Sequence, residues 1–194
     1  MDKNNFDEEK YLAILSDILS PSRFSHTVGV MKKSVEYAKM LGADTETVKI
    51  AALFHDCAKF LRPEELLEHA QRYGIEVDEY MQRTPHLLHG PVGAALAKEK
   101  YGIDDENILS VIEKHTLGSL DMTIEEKIVF LADYTEDGRK YPSSQKIRQL
   151  AKKDFPLALI KCSDESIKHL LATGAYIHPQ SIITRNGFIE EYKK

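Results

Sequence analysis

The sequence predicts an all-α domain, and three observations carry that prediction. Apolar residues recur at helical spacing in segment after segment, strand-like alternation is absent over any useful length, and Gly or Pro punctuates the periodic stretches where helices stop and start. No internal repeat and no Gly-Ser or Pro-rich linker divides the 194 residues, so one domain, 1–194, is expected. That length buries a substantial core without disulfide staples.

Phe6 to Leu19 places Phe6, Tyr11, Leu12, Ile14, Leu15, Ile18 and Leu19 at helical spacing, and Pro21 ends this first helix. A second helix, Ser22 to Leu41, carries the stripe Phe24, Val28, Met31, Val35 and Ala38, with Val30, Tyr37 and Leu41 beside it and His26 at its edge. Gly42 stops it. Asp44 or Thr45 caps a third helix, expected to run through His55-Asp56 to about Phe60. Pro63 starts a short amphipathic helix that closes near Tyr73-Gly74. Thr84 to Pro91 reads as a turn region before a helix with Val92, Ala94, Ala95, Leu96 and Ala97, closed by Gly102, and Asp104 caps the next, which leads to His115. Thr123-Ile124-Glu125-Glu126 is a capping box that opens the helix from Lys127 to about Glu136. Past a loop at Tyr141-Pro142-Ser143-Ser144, helices are expected near Gln145 to Lys153 and at Phe155 to Thr173, then, after Gly174, a final stretch from Pro179.

Composition narrows the function. The formal net charge of −5 is spread over both halves with no basic stripe, which argues against a nucleic-acid polymer as partner. A phosphorylated ligand would therefore need cations supplied locally. No stretch approaches the ~20 apolar residues of a membrane span, and Met1-Asp2-Lys3-Asn4-Asn5 leads into an acidic helix without a signal core. Cys57 and Cys162 lie far apart without zinc-finger spacing, as in a reducing compartment; a cytoplasmic protein is expected.

The chemistry centres on His55-Asp56, set among seven apolar residues between Ile50 and Phe60. Burying an ionised group without a partner costs several kcal/mol, so this pair needs a polar neighbour or a metal ion. His26, His89, His115 and Asp133 also sit at helix ends or inside apolar helices. Imidazole and carboxylate donors without thiolates suit Fe, Mn, Co or Zn, and there is no all-oxygen cage for calcium.

The order His, His-Asp, His, His, Asp over successive helices resembles the HD-domain metal-dependent phosphohydrolases, across about residues 20–140. Finer features, Arg23-Phe24-Ser25-His26-Thr27, His55-Asp56-Cys57-Ala58-Lys59, His89-Gly90-Pro91, His115-Thr116, Ala132-Asp133-Tyr134 with Glu136 and Arg139, and Ile177-His178-Pro179 with Arg185-Asn186, look like the YqeK-type branch along nearly the whole chain. The resemblance implies an HD-type helical bundle with a metal site between helices and C-terminal helices completing a nucleotide pocket. It also implies a symmetrical bis(5′-nucleosyl)-tetraphosphatase that cuts diadenosine tetraphosphate into two ADP, by attack of a metal-activated water on phosphorus, with iron as the implied metal. Thr135 and Asp137 depart from the pattern, standing where it has an apolar residue and a proline.

Carried onto this sequence, His26, His55, Asp56 and Asp133 are the expected metal ligands, with Asp56 bridging to a second ion if His89 and His115 hold one. With a single ion, those two histidines bind phosphate instead. Lys59, four residues beyond His55 and expected on the same helical face, joins Asp56 as a catalytic residue by binding developing phosphoryl charge. Arg23 and Arg139 are expected to hold phosphates, and Thr27 and Thr116 to orient a histidine or the phosphate. Tyr176 and His178 are the tail residues the resemblance brings to the nucleotide, while His69 and His86 are left out. A dinucleoside polyphosphate or other nucleotide is the expected ligand, and a homodimer stays open beside a monomer. The competing readings are another HD-type nucleotide phosphohydrolase (nucleotidase, deoxynucleotide triphosphohydrolase or alarmone hydrolase), a non-catalytic metal- and nucleotide-binding module, and a metal-free scaffold.

Overall fold

The computed structural model describes residues 6–194, so the reading of Met1 to Asn5 lies outside the described residues. Among these there are eleven α-helices and no strand: α1 (Glu8–Ile18), α2 (Pro21–Leu41), α3 (Thr45–Phe54), α4 (Pro63–Tyr73), α5 (Glu79–Arg83), α6 (His89–Tyr101), α7 (Glu106–Lys114), α8 (Ile124–Thr135), α9 (Pro142–Ala151), α10 (Phe155–Thr173) and α11 (Pro179–Tyr192). None of them is long and apolar enough to cross a membrane.

The bundle is built round α3. Its Val48, Ile50, Ala51, Ala52, Leu53 and Phe54 are fully buried because α2, α6, α7 and α8 cover its whole circumference, which is why the sequence is apolar on every side there. Each large side chain so buried contributes about 1.5–3 kcal/mol. The Tyr11 ring meets Phe54 edge-on at 5.2 Å and its hydroxyl donates to Tyr101 O (2.8 Å), docking α1 on the end of α3.

Several boundaries differ from the sequence reading, each for a local reason. α3 ends at Phe54, and His55 to Phe60 form tight turns in which Cys57 N donates to Phe54 O, Lys59 N to Asp56 O and Leu61 N to Ala58 O. Lys59 and His55 therefore do not share a helical face. The buried row of α2 is Thr27, Val30, Met31, Ser34, Tyr37 and Ala38, whereas Phe24, Val28 and Val35 are only partly buried. α2 packs between α3 and α8, and small polar residues fit that close approach; Tyr37 then hydrogen-bonds Thr135 Oγ1 at 2.9 Å. Asp105 rather than Asp104 caps α7, accepting from Asn107 N and Ile108 N. Pro142 opens α9 as its first residue instead of lying in a loop. Asp78 caps the unforeseen α5, and Pro85–Leu88 form a 3₁₀ turn. The Thr123–Glu126 capping box and the span of α10 stand as expected.

α10 packs on α8, α9 and α11 and so ties the C-terminal helices to the core. α11 is held by Arg185 on Asp164 (2.9 Å) and by Thr184 Oγ1, which donates to Leu117 O (2.8 Å) just beyond His115-Thr116. Thr184 sits against Gly118, whose φ of 69° and lack of a side chain let the two segments close.

Candidate metal centre

Three of the four clustered histidines occupy the same local position, the residue that terminates a helix. His55 follows α3, His115 follows α7, and His89 follows the 3₁₀ turn. At such an end the last carbonyls lack helical donors, and each imidazole supplies one. His55 Nδ1 donates to Ala52 O (2.6 Å), His115 Nδ1 to Ile112 O (2.7 Å), and His89 Nδ1 to His86 O. Spending Nδ1–H on the backbone fixes the tautomer and leaves each Nε2 a lone pair aimed inward.

Asp56 is the hub on which these lone pairs converge. Its Oδ1 lies 3.4 Å from His89 Nε2 and 3.8 Å from His115 Nε2, while Oδ2 lies 3.6 Å from His55 Nε2 and 4.0 Å from His26 Nε2. His26 comes from the first turns of α2 and Asp133 from α8, where Asp133 Oδ1 stands 2.9 Å from His26 Nε2. Behind His26, Glu136 Oε1 is 3.2 Å from Nδ1, and its Oε2 accepts from Gly138 N at 2.5 Å. Three groups have donor atoms that all lie within 4.8 Å of one another: His26, His55 and Asp56; His55, His115 and Asp133; Asp56, His89 and His115.

The donor atoms fit a cation. His55 Nε2 is buried without a hydrogen-bond partner, a costly state for a polar atom unless a ligand takes it. His89 Nε2 and His115 Nε2 are 3.0 Å apart; with both Nδ1 protons given to carbonyls, two lone pairs face each other. The Thr116 hydroxyl is within 3.2 Å of both and the Lys59 ammonium is 3.1 Å from His89 Nε2, so donors now stand where a cation would be shared. Burial, then the proximity of His115, holds His89 well below its ordinary range, and burial, then His55, lowers His115 to about 4. Burial alone would raise Asp56, but the attraction of His55 and Lys59 outweighs it and keeps the carboxyl below the usual range. Burial would likewise raise Asp133, but the His26 hydrogen bond and the neighbouring imidazoles outweigh it and hold that carboxyl well below the usual range. Neutral imidazoles at His89 and His115 beside ionised carboxylates are the protonation states that metal binding requires.

The model of the HD domain matches residues 23–138, the stretch that carries every residue of this cluster. The chain belongs to the HD-domain family. HD domains are metal-dependent, and the clusters here can hold a metal. The chain is 37% identical to a Halalkalibacterium halodurans protein named symmetrical bis(5′-nucleosyl)-tetraphosphatase, over 95% of this chain and 98% of that one. A Bacillus subtilis protein of the same name is 36% identical over 94% and 98%. A crystal structure described as a predicted HD superfamily hydrolase involved in NAD metabolism, from Clostridium acetobutylicum, superposes with a TM-score of 0.92 at 38% identity, covering 96% and 98%.

In this HD domain the cluster is ringed by cations. Arg23 Nη1 donates to Asp56 Oδ2 (2.7 Å), Arg139 Nη2 to Asp133 Oδ1 (2.9 Å), and Lys59 Nζ lies 3.1 Å from His89 Nε2 and 3.9 Å from Asp56 Oδ1. Burial lowers the Lys59 ammonium from its ordinary value, against the pull of Asp56. Lys59, His89, His115, Thr116, Asp133 and Arg139 open together onto a cavity of about 190 Å³, walled by Phe130 and Tyr134 and, from α10 and α11, by Ser163, Ile167, Ser181 and Thr184. Thr27 is buried, with its hydroxyl unpartnered.

The tail residues are placed elsewhere. His178 caps α11 and faces Asp78 Oδ2 at 2.6 Å, and Tyr176 is exposed beside Arg83; neither lines this cavity. Sequence reasoning gave no role to Glu136 and overlooked Arg148. Arg148 donates to the carbonyls of Thr135 (2.5 Å), Glu136 (2.5 Å) and Arg139 (3.2 Å), closing the C-terminal end of α8 and holding the loop that presents Glu136 and Arg139. The two departures from the family pattern are accommodated there. Thr135 bonds Leu131 O and Tyr37, and exposed Asp137 pairs with Lys33 and Arg148, each at 3.3 Å.

Proposed function

We propose that this chain hydrolyses diadenosine tetraphosphate symmetrically, giving two ADP, at the cluster centred on Asp56. The observation that carries the proposal is the convergence on one carboxylate of imidazole nitrogens from separate helix termini, with Arg23 on that carboxylate and Lys59 and Arg139 lining the adjoining cavity. Relatives that match over nearly their whole length bear the name of this activity and supply the substrate.

His26, His55, Asp56 and Asp133 would hold one transition-metal ion, iron by the family resemblance, and His89 and His115 with Asp56 a second. A cation so held supplies Lewis acidity, both to lower the pKa of water and to offset phosphoryl charge. The chain's own residues do the rest. Arg23 and Arg139, now on the two carboxylates, are placed to turn to phosphate oxygens when those carboxylates are taken up by the ion, and each can bind in a two-pronged fashion. Lys59, mostly buried where it lines the cavity, places a positive charge where negative charge develops as the phosphoanhydride bond breaks. The Thr116 hydroxyl orients His89 or His115. Residues 20–140 form the HD core and α10 and α11 complete the nucleotide pocket of a single 1–194 domain, supported by the α10 and α11 residues in the cavity wall. Two buried free thiols fit a cytoplasmic setting.

The test is product analysis with metal-loaded protein in water enriched in heavy oxygen. ADP as the only initial nucleotide, with label in ADP, is the expected result. AMP plus ATP would overturn the symmetrical cut, and uncleaved substrate with retained metal would point to a binding module.

A further inference from the structure

A symmetrical cut of a dinucleoside tetraphosphate leaves two equal nucleotide halves, so the protein must accommodate two nucleosides around one reaction centre. The cavity beside the metal ligands, at about 190 Å³, is smaller than the ~300–1,000 Å³ of a typical small-molecule pocket and holds one half at most. A second hollow of about 690 Å³ adjoins it and shares Tyr134, Tyr141, Ser166 and Leu170 with it.

Its chemistry suits a nucleobase. Tyr134 and Tyr141 meet edge-to-face at 5.6 Å, and the Tyr134 hydroxyl is engaged with Ser143 Oγ at 2.9 Å, so the ring on which Tyr141 rests is held in place. Tyr141 is 41% exposed although it is a large aromatic at the mouth of a cavity, and it forms no side-chain capping bond to α9. An aromatic face packed on a fixed neighbour and left open to solvent is a stacking platform for any base, worth roughly a five- to hundredfold change in affinity when removed. His169 borders the same hollow and offers a ring nitrogen to a ribose, while Lys168 there is paired with Glu165 at 2.7 Å. Arg139, two residues before Tyr141, lies in the first cavity on Asp133, so a phosphate chain leaving the metal ligands passes this arginine before it reaches the tyrosine.

We infer that the hollow bounded by Tyr134 and Tyr141 is the site of the second nucleoside, with Tyr141 as the stacking surface that makes the enzyme prefer a dinucleoside over a mononucleoside polyphosphate. This rests on the symmetrical cleavage proposed above. The experiment compares diadenosine tetraphosphate with adenosine 5′-tetraphosphate, which has the same phosphate chain and lacks the second nucleoside; cleavage of the equivalent bond in it consumes one water and yields ADP and pyrophosphate. Wild-type protein is expected to show a KM for the dinucleoside at least about tenfold lower than for the mononucleoside. Because Tyr141 also borders the cavity beside the metal ligands, Tyr141→Ala should raise the dinucleoside KM about tenfold and the mononucleoside KM clearly less, so that the preference for the dinucleoside falls, while Tyr141→Phe keeps the wild-type preference. Equal KM values for the two substrates in wild-type protein, or a Tyr141→Ala effect that is absent or the same on both, would overturn the inference while leaving symmetrical cleavage standing. Failure of wild-type protein to yield ADP from the dinucleoside would instead remove the proposed function, and this inference with it.

Discussion

Replacing Glu136 with glutamine changes one charge and almost no volume, and it probes how His26 is held. The Glu136 carboxylate accepts on both oxygens, facing His26 Nδ1 with Oε1 and taking the Gly138 N–H with Oε2. Glutamine has one acceptor and one NH₂ donor, so whichever way the amide turns, one N–H donor faces another. Glu136 is buried, at 4% exposure, and water cannot rescue the orphan. A buried hydrogen bond lost in this way costs about 1–3 kcal/mol. If the loss falls on His26, its Nδ1–H is no longer anchored and the ring is no longer locked with Nε2 toward Asp133, and metal affinity should fall about 10–100-fold. Competition against a chromophoric chelator, starting from metal-free protein, measures that constant directly, with a thermal melt alongside. If the loss falls on Gly138, the melt moves and the affinity does not. A Glu136→Gln protein with unchanged metal affinity and unchanged melting would refute the assignment of Glu136 as the residue that orients His26.

Further outcomes follow from the same geometry. His55→Ala and Asp56→Ala should each lose bound metal and at least about 100-fold of activity, read by metal analysis and initial rates, with circular dichroism largely unchanged. Lys59→Met should keep its metal while kcat falls about 100-fold, since its charge is aimed at the phosphoryl group; an unchanged kcat would remove Lys59 from the mechanism. Arg148→Met should lower the melting temperature by several degrees and speed amide exchange at Gly138 and Arg139, with Arg148→Lys recovering part of both, because one guanidinium ties three carbonyls at the end of α8 and its loop. Burial pushes the Cys57 thiol up to about 12 and raises Cys162 as well, so neither should react with a thiol reagent at pH 8 until urea opens the fold.

Much of the fold was legible in the chain because helix signals are local. Capping residues, prolines at first turns, glycines at stops and apolar periodicity each act within about one turn, so α4, α6, α8 and α10 fall close to where the sequence puts them. The residues of the cluster were legible for a different reason: a titratable group in an apolar run is costly enough to need a cause, and His55-Asp56 and Asp133 stand in such runs. What periodicity could not tell was where a helix yields to a side chain. His55 takes Ala52 O for itself, so α3 stops at Phe54 and Lys59 reaches the cavity through a turn rather than along a helical face. Nor could local pattern choose which row of α2 faces inward, since that depends on how close α3 and α8 approach. Composition and spacing determined an all-helical chain with a metal-competent set of imidazoles and carboxylates. Only the tertiary structure decided that Glu136 backs His26, that Arg148 holds the Glu136–Arg139 loop, and that the tail at Tyr176 and His178 packs against Asp78 and Arg83, because those pairings join residues distant in sequence whose meeting depends on the packing of helices against one another.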